Sequence, residues 1–215
     1  MPTLYSGPLS LFTAKVRIAL VEKEIDYERV EVPFGKQGYA PKHPRVLELN
    51  PKAQVPVFVD GDVVLWDSTV IVEYLDEKWP EPRLFPDDAA GRARVRMAEL
   101  HADEVFFPHV WKLIANVFYG AGEADEIAAA KRALTNEYQA LDSQLKGQEW
   151  IAANRFNPAD VTYRLATLFA STLGAAPSPD LTNLGEWITR MDAKPSVSGD
   201  LADMMQAIVD VNRPA

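Results

Sequence analysis

Residues 50–68 read Asn50-Pro51-Lys52-Ala53-Gln54-Val55-Pro56-Val57-Phe58-Val59-Asp60-Gly61-Asp62-Val63-Val64-Leu65-Trp66-Asp67-Ser68. Two β-rich runs, Val57-Phe58-Val59 and Val63-Val64-Leu65, flank Asp60-Gly61, whose glycine suits the positive backbone angles of a tight primed turn. The stretch therefore predicts a β-hairpin. Pro56 cannot donate to a sheet ladder, so either a cis Val55-Pro56 bond or an edge position explains it. If the bond is cis, the backbone of Val55 turns outward and can pair with an extended ligand; otherwise the segment is an ordinary loop entering a strand. Asp67 or Ser68 then caps a helix, and Ile71, Tyr74 and Leu75 mark its apolar stripe through Lys78.

Upstream of the hairpin, Thr3-Leu4-Tyr5 reads as a brief strand. Phe12, Val16, Ala19 and Leu20 follow on one helical face, with Lys15, Arg17, Glu22 and Lys23 mostly outside it. Val30-Glu31-Val32 alternates as a half-buried strand should. The order β-α-β, then β-β-α, makes a small α/β unit with a mixed four-stranded sheet.

Downstream, proline placement marks a change. Ten of the 16 prolines lie in residues 1–90 and none between Pro108 and Pro158, so the second half is predicted to be helical. Pro80, Pro82 and Pro86 form the densest cluster, which neither a helix nor a central strand tolerates. The expected division is residues 1–79, a linker at 80–88, and an all-α domain at 89–215. Val95, Ala98, Ala102, Val105, Phe106, His109, Val110, Leu113 and Val117 share one face of a long helix that Pro108 should kink or break. Leu134 to Leu145, Val161 to Thr172 and Leu184 to Met191 predict three more helices, and a short fifth is expected after Pro195.

Composition narrows the function. The chain has 215 residues, 47% apolar, which is enough for a real core. It has no cysteine, which removes disulfides, thiolate metal sites and any protein thiol nucleophile. With 22 Lys plus Arg against 31 Asp plus Glu, a net charge of −9, it lacks the basic balance that nucleic-acid binding requires. No apolar run approaches the roughly 20 residues of a spanning helix, and Met1-Pro2-Thr3-Leu4-Tyr5 lacks the charged and apolar regions of a signal peptide. A cytoplasmic protein without nucleic-acid or membrane partners is expected. His43, His101 and His109 show no metal-ligand spacing, so no metal is expected.

Four local features carry chemistry. In the turn Ser6-Gly7-Pro8-Leu9-Ser10-Leu11-Phe12-Thr13, hydroxyls sit at a helix N-terminus beside unpaired N–H groups, a place that favours an anion; taken by itself the turn reads first as a plain N-cap at Ser10 or Thr13. Asn50 to Pro56 is the second feature. Trp66-Asp67-Ser68-Thr69 is the third, with free N–H groups that could hold a carboxylate or simply be capped. In the fourth, Phe156-Asn157-Pro158-Ala159-Asp160, Asn157 is the N-cap, Pro158 the first helical residue and Asp160 the reciprocal acceptor of a capping box, a structural role.

Together these residues resemble the cytosolic glutathione transferase family, as a serine-type bacterial member. Leu4 to Ser10 followed by Lys15 to Leu20 looks like the family's first strand, active-site loop and first helix. Asn50-Pro51 to Val55-Pro56 looks like its cis-proline segment, Asp60-Gly61 and Asp67-Ser68 its hairpin and acidic-Ser motif, and Phe156 to Asp160 its second-domain capping box. The resemblance runs from about residue 3 to residue 195. It implies a thioredoxin-like N-terminal domain that binds glutathione as co-substrate, an all-helical domain that builds most of a pocket for a hydrophobic electrophile, and a homodimer. Ser10 looks like the hydroxyl that hydrogen-bonds the glutathione sulfur. Gln54, Val55 and Pro56 would form the segment whose Val55 backbone pairs with the cysteinyl part, and Asp67 and Ser68 would hold the γ-glutamyl end. Phe106, His109 and Leu113 would contribute to the second-substrate pocket, and Lys42 and His43 could approach the glycine carboxylate.

The energetics suit that role. A thiol of pKa about 8.5 is only about 3% thiolate at pH 7, and lowering it by about two units requires about 2.7 kcal/mol. One hydrogen bond to the charged form supplies roughly 1.5–3 kcal/mol, and a helix N-terminus roughly 0.3–1. Ser10 would donate to the thiolate rather than act as a base. Tyr5 could play that part, as tyrosine does in other classes, but its place in a strand suits packing.

Some positions depart from the family's pattern. Ala53 stands where glycine is frequent, Asp67 is one methylene shorter than the usual glutamate, and Asn157 replaces a frequent Ser or Thr. The isomerase-like zeta class resembles Ser-Ser-Cys-Ser where this chain has Ser10-Leu11-Phe12-Thr13, which argues against that class. The alternatives to conjugation are a glutathione-dependent isomerase or dehalogenase, or a non-catalytic binding protein on the same fold.

Overall fold

The structure is a computed structural model that describes residues 1–35, 38–40 and 42–211. In chain order it contains β1 (Thr3–Ser6), α1 (Leu11–Glu22), β2 (Glu28–Glu31), α2 (Pro44–Leu49), β3 (Val57–Asp60), β4 (Val63–Trp66) and α3 (Ser68–Lys78). Then follow α4 (Ala89–His101), α5 (Phe107–Tyr119), α6 (Ala124–Gln144), α7 (Pro158–Thr172), α8 (Thr182–Asp192) and α9 (Pro195–Val211). The chain forms two units: residues 1–83 with the chain from Pro195 onward, and residues 84–194. Among the described residues no helix is long and apolar enough to cross a membrane.

The first unit is built on the predicted mixed sheet, a thioredoxin-like arrangement with strand order β2-β1-β3-β4. β1 and β2 run parallel, while β1-β3 and β3-β4 are antiparallel. Alternation sends Leu4 and Phe58 to one face and Tyr5 and Val57 to the other. Leu4 and Phe58 are fully buried. On the opposite face Val57 joins Val32 and Val46 in a small core flanked by Tyr5, Tyr39, Leu49, Val55 and Val59. The hairpin turns at Gly61-Asp62, with Gly61 at φ +65°, the glycine-first form of a primed turn.

The expectation that α1 is one-sided needs correction. Lys15, Arg17 and Lys23 are all buried, because α1 is flanked by α3 and by α9. Each charge is met inside. Lys23 Nζ donates to Asp76 of α3 and to the Pro82 carbonyl, each at 2.8 Å, and Ser196 of α9 donates to Glu22. The helix after Pro195 is also not short: α9 has 17 residues. Its membership in the first unit is a long-range matter that helical periodicity does not reveal.

The second unit is all helical. α7 is buried almost all round, from Pro158 to Thr167 and at Phe169 and Ala170, as expected of a helix at the centre of a bundle. The predicted capping box closes its start: Asn157 Oδ1 accepts from the Ala159 N–H at 3.0 Å, and Asp160 Oδ2 accepts from the Asn157 N–H at 3.0 Å. Asp160 also accepts from the Ile151 N–H and Trp187 Nε1, each at 2.8 Å. The long face read over 95–117 is interrupted as proline required. α4 passes into a π-helical stretch, Ala102–Phe106, and Pro108 becomes the second residue of α5, where a missing N–H costs least.

Candidate glutathione site

Register brings the sequence motifs together. Val57 pairs with Tyr5 on one side and with Trp66 on the other. The turn after β1, the segment before β3 and the helix start after β4 therefore leave the sheet from the same end. Ser10, Val55-Pro56 and Asp67-Ser68 lie on those three connections.

Ser10 is the N-cap of α1, with extended backbone at φ −101° and ψ 108°. Its Oγ accepts from the Thr13 N–H at 3.2 Å, so the cap uses a lone pair and the O–H remains available as a donor. No acidic residue occupies the first turn, so no carboxylate in that turn offsets the positive end of the helix. The turn is held from several directions. The Ser10 N–H donates to the Gly7 carbonyl at 3.2 Å, the Gly7 N–H to Thr13 Oγ1 at 3.5 Å, and the Leu9 N–H to the Tyr39 phenol oxygen at 3.1 Å. Arg17 reaches the same turn, donating from Nη1 to Ser6 Oγ at 2.9 Å and to the Gly7 carbonyl at 3.3 Å. Burial would lower the Arg17 pKa, but its hydrogen bond and attraction to Asp200 prevail and hold it above the ordinary value.

Tyr5 packs on the Val32-Val46-Val57 core, its ring 5.5 Å from that of His43. His43 is the N-cap residue of α2, and Lys42 beside it is exposed.

The second segment is stiffened by Asn50. Its Nδ2 donates to the Gln54 carbonyl at 2.7 Å and its Oδ1 accepts from the Lys52 N–H at 2.9 Å. Val55-Pro56 is cis. Pro56 is buried while Val55 is half-buried against the small core and Gln54 is exposed, so the bend is anchored in the unit.

The third segment carries an unusual backbone. Asp67 caps α3 with φ +79° and ψ 121°, and its carboxylate accepts from the Thr69 N–H at 3.1 Å. A non-glycine residue in that region is uncommon. The carboxylate also pairs with Lys52 at 3.7 Å, and the Lys52 ammonium lies 4.9 Å from the centre of the Trp66 ring. Lys52 thereby ties the second segment to the third. Ser68 is buried. Lys15 of α1 donates to Thr69 Oγ1 at 3.4 Å, linking α1 to the same helix start.

Sequence reading missed Tyr39 and Asp200 and gave Lys15, Arg17, Lys52 and Thr69 no contacts of their own. The available signal was basic residues inside an apolar helix, which in α1 means charges that must find partners when buried.

In the second unit Phe106 is fully buried, with T-shaped contacts to Tyr138 at 5.5 Å and Tyr163 at 5.6 Å. Leu113 is buried too, and His109 is half-buried with its Nδ1 enclosed and without a hydrogen-bond partner among the described residues.

Residues 4–83 match the family model described as the glutathione S-transferase N-terminal domain, and residues 97–195 the one described as the C-terminal domain. A stringent starvation protein A homolog of Coxiella burnetii is 37% identical over 142 residues, 65% of this chain and 62% of that protein. Maleylacetoacetate isomerase of Rattus norvegicus is 29% identical over 197 residues, 89% of each chain. Among solved structures, a glutathione S-transferase from Rhodospirillum rubrum F11 superposes with a TM-score of 0.81 at 29% identity, covering 93% of this chain and 91% of that one.

Proposed function

The chain belongs to the glutathione S-transferase family, and from that membership we propose that it forms the thiolate of glutathione and transfers it to an electrophilic small molecule. The thiol proton leaves to solvent, the sulfur forms a bond to the electrophilic carbon, and the electron pair goes to a leaving group or into the substrate's π system. One observation carries the reading: Ser10 uses a lone pair to cap α1, which leaves its O–H to donate to a sulfur anion at the helix N-terminus. The half-buried Val55 beside the buried cis Pro56 supports pairing of its backbone, flanked by Gln54, with the cysteinyl part. The capped start of α3 supports capture of the γ-glutamyl end by Asp67 and Ser68.

Phe106, His109 and Leu113 enter as residues that would set the second-substrate pocket, Phe106 and Leu113 from the packed layer and His109 nearer its surface. A homodimer in the cytoplasm belongs to the same proposal.

The test is the pH titration of thiolate absorbance for bound glutathione, together with turnover on a panel of electrophiles. Ser10→Ala is expected to raise the thiol pKa by about one unit or more, since one pKa unit corresponds to about 1.36 kcal/mol. An unchanged pKa and turnover would sink the assignment. Absence of binding heat and thermal shift at millimolar glutathione would favour a non-catalytic protein.

A second reading, glutathione-dependent isomerisation, draws support from the relative named maleylacetoacetate isomerase. There the sulfur adds and then leaves, so glutathione is regenerated. Conjugation consumes it in proportion to product, and the stoichiometry separates the two.

A further inference from the structure

The last helix of the chain reaches the Ser10 turn through one guanidinium. Asp200 of α9 accepts from Arg17 Nε at 2.8 Å and Nη2 at 2.6 Å. The remaining nitrogen, Nη1, turns the other way and donates to Ser6 Oγ at 2.9 Å and the Gly7 carbonyl at 3.3 Å. That carbonyl also accepts from the Ser10 N–H at 3.2 Å. A carboxylate on α9 is thus connected to the Ser10 backbone through Arg17 and one peptide oxygen. The side chains of Arg17 and Asp200 are only 3% and 7% exposed, so water does little to loosen the chain of contacts.

We propose that Arg17 and Asp200 are positioning residues for the Ser10 hydroxyl, so that α9 is a working part of the glutathione site; the proposal rests on the reading of Ser10 as the thiol-activating donor. A buried ion pair adds little net stability over apolar residues of the same shape, and its location behind the turn gives it another use. Only a planar fork suits the place. One edge of the guanidinium holds two carboxylate oxygens while the third nitrogen serves the turn, a division that a single ammonium point cannot make. Ser10 must be fixed closely, because a misplacement of about 1 Å can cost about 100-fold in rate.

The experiment uses the full chain with Arg17→Lys, Ser6→Ala, Asp200→Asn and Ser10→Ala. Arg17→Lys keeps a charge for Asp200, and Ser6→Ala leaves the ion pair intact, so these two carry the test if Asp200→Asn does not fold. Three quantities are read: the thiol pKa of bound glutathione, kcat and KM on a responsive electrophile, and hydrogen exchange of amides 7–10. In folded Arg17→Lys and Ser6→Ala the pKa is expected to rise, kcat to fall about 3- to 30-fold with KM for glutathione within about twofold, and the turn amides to exchange faster. If Ser10→Ala raises the thiol pKa while these two variants keep wild-type pKa and exchange, the positioning role is overturned and the reading of Ser10 stands. If Ser10→Ala leaves the pKa unchanged, that reading fails. The proposal then falls with it, whatever the turn amides do, because a turn held around a hydroxyl that activates no thiol is held for structure alone.

Discussion

A Cβ placed on Gly7 would lie 2.4 Å from the phenol oxygen of Tyr39 and 2.6 Å from its Cζ. The absence of a side chain at position 7 is what lets the Tyr39 ring close over the turn and its oxygen accept from the Leu9 N–H at 3.1 Å. The glycine is required here by close approach.

Gly7→Ala is therefore expected to push the ring aside and destabilise the protein by about 1–3 kcal/mol, the usual cost of overpacking. Tyr39→Phe keeps the ring and loses only the hydrogen bond, at about 1 kcal/mol. Urea unfolding of the two variants checks the order, and a smaller effect for Gly7→Ala than for Tyr39→Phe would contradict the packing.

Ala53 adopts φ +52°, a left-handed conformation that costs an L-residue roughly 1–2 kcal/mol and glycine little. Part of that is returned by the greater entropy of glycine in the unfolded chain. Ala53→Gly is expected to stabilise the protein by about 0.5–1 kcal/mol, read as a higher denaturation midpoint with an unchanged slope.

Lys23 and Asp76 form a buried pair at 2.8 Å, 0% and 6% exposed. Lys23→Met removes the ammonium from the buried Asp76 carboxylate and is expected to cost about 3–5 kcal/mol. Adding Asp76→Leu removes the buried carboxylate as well and should recover part of the loss. A double-mutant cycle measures the recovery; additive losses would refute the coupling.

Burial pushes the Asp160 carboxyl up to about 7, against the pull of donors from Ile151, Trp187 and Asn157. An acid whose folded pKa lies above its unfolded value contributes stability that is fully present below the unfolded pKa of about 3.9 and is lost as pH rises through the folded one. The stability of the wild type relative to Asp160→Asn, which does not titrate, should therefore decline between about pH 4 and pH 7. Contributions from other carboxylates cancel in the difference, and a flat difference would show that the donors hold Asp160 at its ordinary value.

Several elements were legible in the sequence for local reasons. Asp60-Gly61 between two β-branched runs specified the hairpin, Asn157-Pro158 with Asp160 specified the start of α7, and Pro108 specified an interruption in the long helical face. A hydroxyl cap at Ser10 or Thr13 was also readable, because a hydroxyl before an apolar period admits few conformations, whereas at Pro56 the sequence left a cis bend and an edge position open and the structure has the cis bond. Lys15, Arg17 and Lys23 lie outside the apolar face of α1 as read, but that side of the helix is covered too. Periodicity identifies the apolar face of a helix and says nothing of whether a second element covers the other.

By itself, the sequence determined the hairpin, the order of the strands and of the longer helices, though not the short α2 (Pro44–Leu49), and the short motifs that would carry a glutathione site, since each follows from interactions between residues a few positions apart. Tertiary structure alone decided that three of those motifs leave the sheet from one end, that Tyr39 closes over Gly7, and that Asp200 grips Arg17 from 183 residues away. The physical reason is that a buried charge requires a partner, while a linear chain does not reveal which distant helix will provide it.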